Sequence, residues 1–183
     1  MSQPHHFSCF FKECFRQCVC FSPAGFDADG REQRMTYDFI DYKLAKDWQG
    51  SETIPAKPGI YAVFLKTTDH VPEDWRDDLK RPDHLLYIGR SADVKGRLKE
   101  HFSGSSSARS TLRRSIGAMM IDVLPLGHCY YTSDAAKNFR FENEKPLSLW
   151  IQENCLYNFR INHDAYHDET AFIKNFKPLF IRK

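Results

Sequence analysis

Beyond residue 35 the chain alternates short apolar runs with polar, turn-rich breaks. Ala56-Lys57-Pro58-Gly59 punctuates the entry to an apolar run over residues 60–66, which predicts a strand. An acidic, proline-containing loop over 67–82 leads to a second run, 84–89, and two strands so joined can pair antiparallel. A helix is expected over 92–102, then a Ser/Gly loop over 103–107. Leu112, Ile116 and Met119 or Met120 fall on one face of a second helix, 109–120. Residues 121–126 read as a strand, 145–154 as a helix with Leu147, Trp150 and Ile151 inward, and 156–161 as another strand. The last helix, 168–176, stops ahead of Pro178, because the residue before proline leaves the helical region. A short helix or turn is expected over 39–48. Together these elements predict an α/β fold with a small, mostly antiparallel central sheet flanked by helices. Residues 1–34 carry turn signals and no sustained period, so they read as an extension ahead of a folded domain over 35–183.

Composition narrows this picture. With 183 residues, 42% hydrophobic and 14% aromatic, the chain suits one globular domain with a proper core. It holds no run of about 18 apolar residues, so no membrane-spanning helix is expected. Residues 1–26 are broken by Lys12, Glu13 and Arg16 and lack a continuous apolar stretch, which argues against a signal peptide and for a cytoplasmic protein. Cys9, Cys14, Cys18 and Cys20 have four, three and one residues between them, unlike the paired spacing of zinc sites, even with His5 and His6 nearby. A metal-binding or interaction role for this Cys-rich start is one competing expectation. The net charge of +2 hides a concentration: nine Lys and Arg against three acidic residues between positions 80 and 114. Such a patch attracts a polyanion, although a solvated helix face would look the same.

The candidate chemistry lies in the strands and the helix after them. Pro58-Gly59-Ile60-Tyr61 is followed by Tyr87-Ile-Gly-Arg90-Ser-Ala-Asp-Val-Lys-Gly-Arg97-Leu-Lys-Glu-His101. Arg97 and His101 are four apart, so on a helix they project from one face. The strand pair would set Tyr61 and Tyr87 near the start of that helix, where free N–H groups and the dipole favour phosphate. The string resembles the pattern Y-I-G-[KR]-S-x-D-[LV]-x-x-R-L-x-x-H of the GIY-YIG nuclease superfamily throughout. Further on, Glu169-Thr-Ala-Phe-Ile-Lys-Asn-Phe-Lys-Pro178-Leu-Phe resembles the family's closing motif. That motif usually ends in Asn, where this chain has Ile181. The segments from Ser110-Thr-Leu-Arg-Arg-Ser to Leu-Ser-Leu-Trp150-Ile look like a bacterial branch of the superfamily.

The resemblance implies hydrolysis of a DNA phosphodiester by water with Mg²⁺ or Mn²⁺. Glu169 would be the metal ligand, with Glu144 in reserve among Glu142, Glu144 and Glu153. Arg97 would neutralise charge on the phosphoryl oxygens, assisted by Arg90. Tyr61 or Tyr87 would activate the water, with His101 taking the proton and the cationic surroundings lowering the phenol's pKa. Lys99, Arg109, Arg113 and Arg114 would contact the DNA backbone, with Arg109 and Arg113 on one helical face. Loss of the closing Asn raises a second expectation, a catalytically weak or inactive nucleic-acid-binding module. Asn158 or Asn162 would be substitutes for it.

Overall fold

A computed structural model describes residues 43–45, 47, 54–79, 84–131, 139–161 and 163–180. The chain runs β1 (Lys43–Leu44), β2 (Gly59–Leu65), a single helical turn α1 (Glu73–Arg76), β3 (Leu85–Ser91), α2 (Val94–Ser103) and α3 (Thr111–Met119). It continues through the strands β4 (Cys129–Tyr131) and β5 (Phe139–Phe141), then α4 (Lys145–Asn154), β6 (Cys155–Ile161) and α5 (Ala165–Phe176). The main sheet has the order β1-β6-β2-β3, and its strand pairs are all antiparallel. Its three long strands carry the fold; β1 adds a two-residue edge. The fold is α/β, as the apolar pattern predicts.

β2 is buried along its whole length because both faces of the sheet are covered. Side chains alternate across a strand, so each face collects its own set. Tyr61, Val63 and Leu65 of β2 join Tyr157 of β6 and Leu98, Phe102, Leu112, Ile116, Leu147 and Ile151 of the helices in the larger core. Ile60, Ala62 and Phe64 join Leu85 and Ile88 in a smaller core, closed by Phe172, Ile173 and Phe176 of α5. A bulge between Val63 and Phe64 sets Val63 opposite Tyr87 but Phe64 opposite Leu85. The extra residue is Leu86, and with it Leu86 and Tyr87 both reach the larger core. After α5 the chain returns along β3, where Phe180 N–H donates to the Leu86 carbonyl (2.8 Å) and Phe180 bridges Tyr87 in parallel.

Two expectations are corrected here. Residues 121–126 form turns rather than a strand, since Val123 and Leu124 N–H both return to the Met120 carbonyl. The strands in this region are β4 and β5, a short separate hairpin. The loop after β2 also carries a helical turn, α1, which buries Trp75. The extension over residues 1–34 with its cysteines lies outside the described residues, as does most of the 39–48 segment. Among the described residues no helix is long and apolar enough to cross a membrane.

Candidate active site

The two motif glycines are explained by close approach. The register sets Tyr61 opposite Gly89, and a Cβ on Gly89 would stand 2.4 Å from the Tyr61 hydroxyl oxygen. Any side chain there would push the phenol aside. A Cβ on Gly59 would stand 2.4 Å from the Arg160 carbonyl oxygen, so β6 could not lie as close to β2.

Crossing Gly89, Tyr61 reaches α2. Its hydroxyl lies 2.7 Å from His101 Nε2. Tyr87 closes the group, with ring centroids 6.1 Å from Tyr61 and 5.9 Å from His101. Arg97, one helical turn before His101, stands close enough to both phenols for its charge to act on them. Arg97 is held in place through Nη1, which donates to Glu100 Oε2 (2.6 Å) and to the Arg109 carbonyl (2.9 Å). The phenols therefore meet the last turn of α2, not its start. The first turn is closed by Asp93, whose Oδ1 accepts from Gly96 N–H (2.9 Å), which removes the phosphate seat expected there.

Burial governs the protonation of this cluster. Tyr61 is 1% exposed and Tyr87 3%. Loss of solvent pushes the Tyr61 phenol well above its ordinary value, Tyr87 adds to the rise, and Arg97 only partly opposes it. The expected lowering by cationic neighbours is thus reversed, because desolvation of a phenolate outweighs one guanidinium. His101 is pushed well below its ordinary value by burial and by the charges of Arg97 and Arg113. At neutral pH both groups are uncharged. The neutral imidazole joins Tyr61 on one side and, 2.7 Å from Nδ1, the Ser110 hydroxyl on the other. Ser110 also caps α3 by accepting from Arg113 N–H (3.1 Å).

The other charged pair lies across the sheet. Arg90 Nε is 2.9 Å from Glu169 Oε2, with the two side chains 35% and 18% exposed. Strand alternation turns Arg90 toward α5 and away from Tyr61 and Tyr87. Helix α5 begins at Ala165, so Asp168 belongs to its first turn and is not its cap, and Glu169 stands one turn before Phe172 and Ile173. Among the described residues no three His, Cys, Asp or Glu side chains gather into a metal-binding group. A single, partly exposed carboxylate suits Mg²⁺ or Mn²⁺, which keep several waters and share ligands with a substrate phosphate; it does not suit zinc, which takes three or four protein ligands. Ile181 and Asn162 lie outside the described residues. Asn158, opposite Ala62, faces the smaller core, and its Nδ2 has no hydrogen-bond partner among the described residues.

The basic residues divide. Arg113, expected to meet phosphate, is fully buried and donates from Nη2 to Glu144 Oε2 (2.7 Å) and from Nη1 to the His101 carbonyl (3.2 Å). Glu144, the reserve metal ligand, also accepts from Ser107 N–H (2.6 Å), Ser107 Oγ (2.8 Å) and Phe141 N–H (3.2 Å). These bonds leave it committed to the interior. Arg109 does not share a helical face with Arg113, since it belongs to the 3-10 turn Ser107–Arg109 before α3. Arg114 is half-buried, with Nη1 donating to the Ser107 and Ala108 carbonyls. Lys99 and Arg109 are the exposed members of the set. Ser110 and Ser107 escaped the sequence reading, although a serine just before the Thr-Leu-Arg-Arg run is a helix-start signal.

Against known families, the model of the GIY-YIG catalytic domain matches residues 59–181, well over half of the chain. No curated protein and no solved structure matches it.

Proposed function

The chain belongs to the GIY-YIG nuclease superfamily, and from that premise we propose that it is a cytoplasmic endonuclease that hydrolyses DNA with Mg²⁺ or Mn²⁺. The observation that carries the reading is the meeting of Tyr61, Tyr87, Arg97 and His101, which come from two strands and a helix, with Tyr61 hydrogen-bonded to His101 and the ring of Tyr87 packed on both. Arg97 brings a fixed planar cation to a group of neutral donors, which suits charge growing on phosphoryl oxygens. Glu169 would hold the metal, which when bound polarises the phosphate and stabilises the leaving oxygen. Arg90, paired with that carboxylate, would be freed to meet the phosphate. Tyr61 stays protonated, so Tyr87 is the better candidate to activate the water, with Tyr61 donating to it. Lys99 and Arg109 are the backbone contacts that exposure favours. The burial of both phenols supports a second reading, a nucleic-acid-binding module that cuts weakly or not at all.

The test is a panel of labelled duplex, branched and single-stranded DNAs incubated with Mg²⁺ or Mn²⁺. Cleavage that stops on chelation supports the nuclease reading. Binding without cleavage across the panel supports the module.

A further inference from the structure

The Ser110 hydroxyl has two partners among the described residues, Arg113 N–H at 3.1 Å and His101 Nδ1 at 2.7 Å. A serine hydroxyl carries one proton and two acceptor lone pairs, and an amide N–H can only donate to it. One lone pair is therefore taken by the cap of α3. If Nδ1 also donated to this oxygen, the serine's own proton would be left without an acceptor, and Ser110 and His101 are both fully buried. Buried donors are paired, so the serine proton belongs on the bond to Nδ1. A neutral imidazole that accepts at Nδ1 carries its hydrogen on Nε2.

We infer that Ser110 is a positioning residue that fixes His101 in its Nε2-protonated form and so directs a one-way chain of donors, Ser110 to His101 to Tyr61, toward Tyr87. In this arrangement His101 Nε2–H donates to the Tyr61 oxygen. The Tyr61 hydroxyl proton is then turned away from His101, while the Tyr87 ring packs beside Tyr61 with its centroid 6.1 Å away. His101 does not accept a proton from Tyr61, as its sequence position had suggested. It holds Tyr61 as a donor on the side of Tyr87. The low proton affinity of His101 agrees with this, because an imidazolium would need to donate on both sides. Ser110 is itself held from two directions. Its N–H donates to the Ser107 carbonyl (3.0 Å), and the helix it caps is tied through Arg113 to Glu144.

This inference deepens the nuclease reading, yet its first test needs neither DNA nor metal, so the two can fail separately. Long-range ¹H–¹⁵N correlation spectra of the histidine-labelled full chain report which ring nitrogen of His101 carries the hydrogen. Protonation at Nε2 is the expected result; protonation at Nδ1 would overturn the inference. Ser110→Thr keeps the hydroxyl and the cap and should leave the ring's pattern unchanged. Ser110→Ala removes both and should release the ring to a mixture of tautomers; a folded Ser110→Ala protein with an unchanged pattern would show that serine does not set it. Where cleavage is measurable, Ser110→Ala should lower kcat with KM unchanged, and Ser110→Thr should restore it. A Ser110→Ala protein that folds and cuts at the full rate would also overturn the inference.

Discussion

The two faces of the sheet handle polar groups in opposite ways. On the face of α2, α3 and α4, charged and hydroxyl groups are sealed in: Arg113 with Glu144, His101 with Tyr61 and Ser110. On the face of α5 the rim carries an ion pair, Arg90 with Glu169, partly open to water. In the first region the paired groups satisfy one another in a low dielectric, and removing one leaves its partner stranded. In the second, water can replace whatever is lost. The candidate chemistry therefore divides into a part inseparable from the fold and a part that can be removed while the fold stands.

The sharpest way to break this comparison is at the buried pair. Glu144→Ala leaves a buried guanidinium uncompensated and frees Ser107 N–H and Phe141 N–H. It should cost on the order of 3–5 kcal/mol, a fall of about 10 °C in Tm by calorimetry. A change of a degree or two would mean that this region is not a sealed network. Glu169→Ala should behave in the opposite way: turnover down about a hundredfold, near 3 kcal/mol, while stability moves within about 0.5 kcal/mol. Arg97→Ala stands between the regions. It should lose cleavage to a similar extent and also about 1 kcal/mol of stability, since its bond to the Arg109 carbonyl ties α2 to the following turn.

Acid should reach the buried network through His101. Its folded pKa is depressed, so the unfolded chain binds the proton more readily. The stability tied to the neutral ring is present above the unfolded value of about 6.5 and is lost as pH falls below it, by up to about 1.4 kcal/mol per unit. Calorimetry between about pH 7 and pH 5 should record a falling Tm, and His101→Gln should flatten that slope; an equal slope in both proteins would remove His101 as its source. The smallest effect is expected outside both regions. Lys99→Ala with Arg109→Ala should weaken DNA binding across all sequences and reduce the salt slope by roughly one unit per lost contact. An unchanged slope would mean that these two side chains meet only solvent.

What the sequence discloses follows the same division. Periodicity located β2, β3, α2, α4 and β6 to within a residue or two, because each has one buried stripe or a buried run. The motif spacing pointed to Tyr61, Tyr87, Arg97 and His101, which fixed i, i+4 and register rules bring together. Pairings between distant residues were hidden. Arg113 looked like surface charge because nothing local marks Glu144, 31 positions away, as its partner. The β4–β5 hairpin was missed because its three-residue strands are too short to establish a period and Cys129 and Tyr131 pack less tightly than Phe139 and Phe141. The protonation of Tyr61 depends on burial, which the composition of its neighbours does not reveal.

The central claim is that this chain cuts DNA with the help of a rim carboxylate while a sealed network on the other face of the sheet holds the protein together. The direct measurement sets binding and cleavage side by side, on one labelled DNA with Mg²⁺ or Mn²⁺, for the unaltered chain and for Glu169→Ala. The account predicts metal-dependent cleavage by the first, and in the second equal affinity and equal Tm with cleavage reduced about a hundredfold or more. Equal cleavage by both proteins would contradict it, and so would loss of DNA affinity and thermal stability along with cleavage in Glu169→Ala.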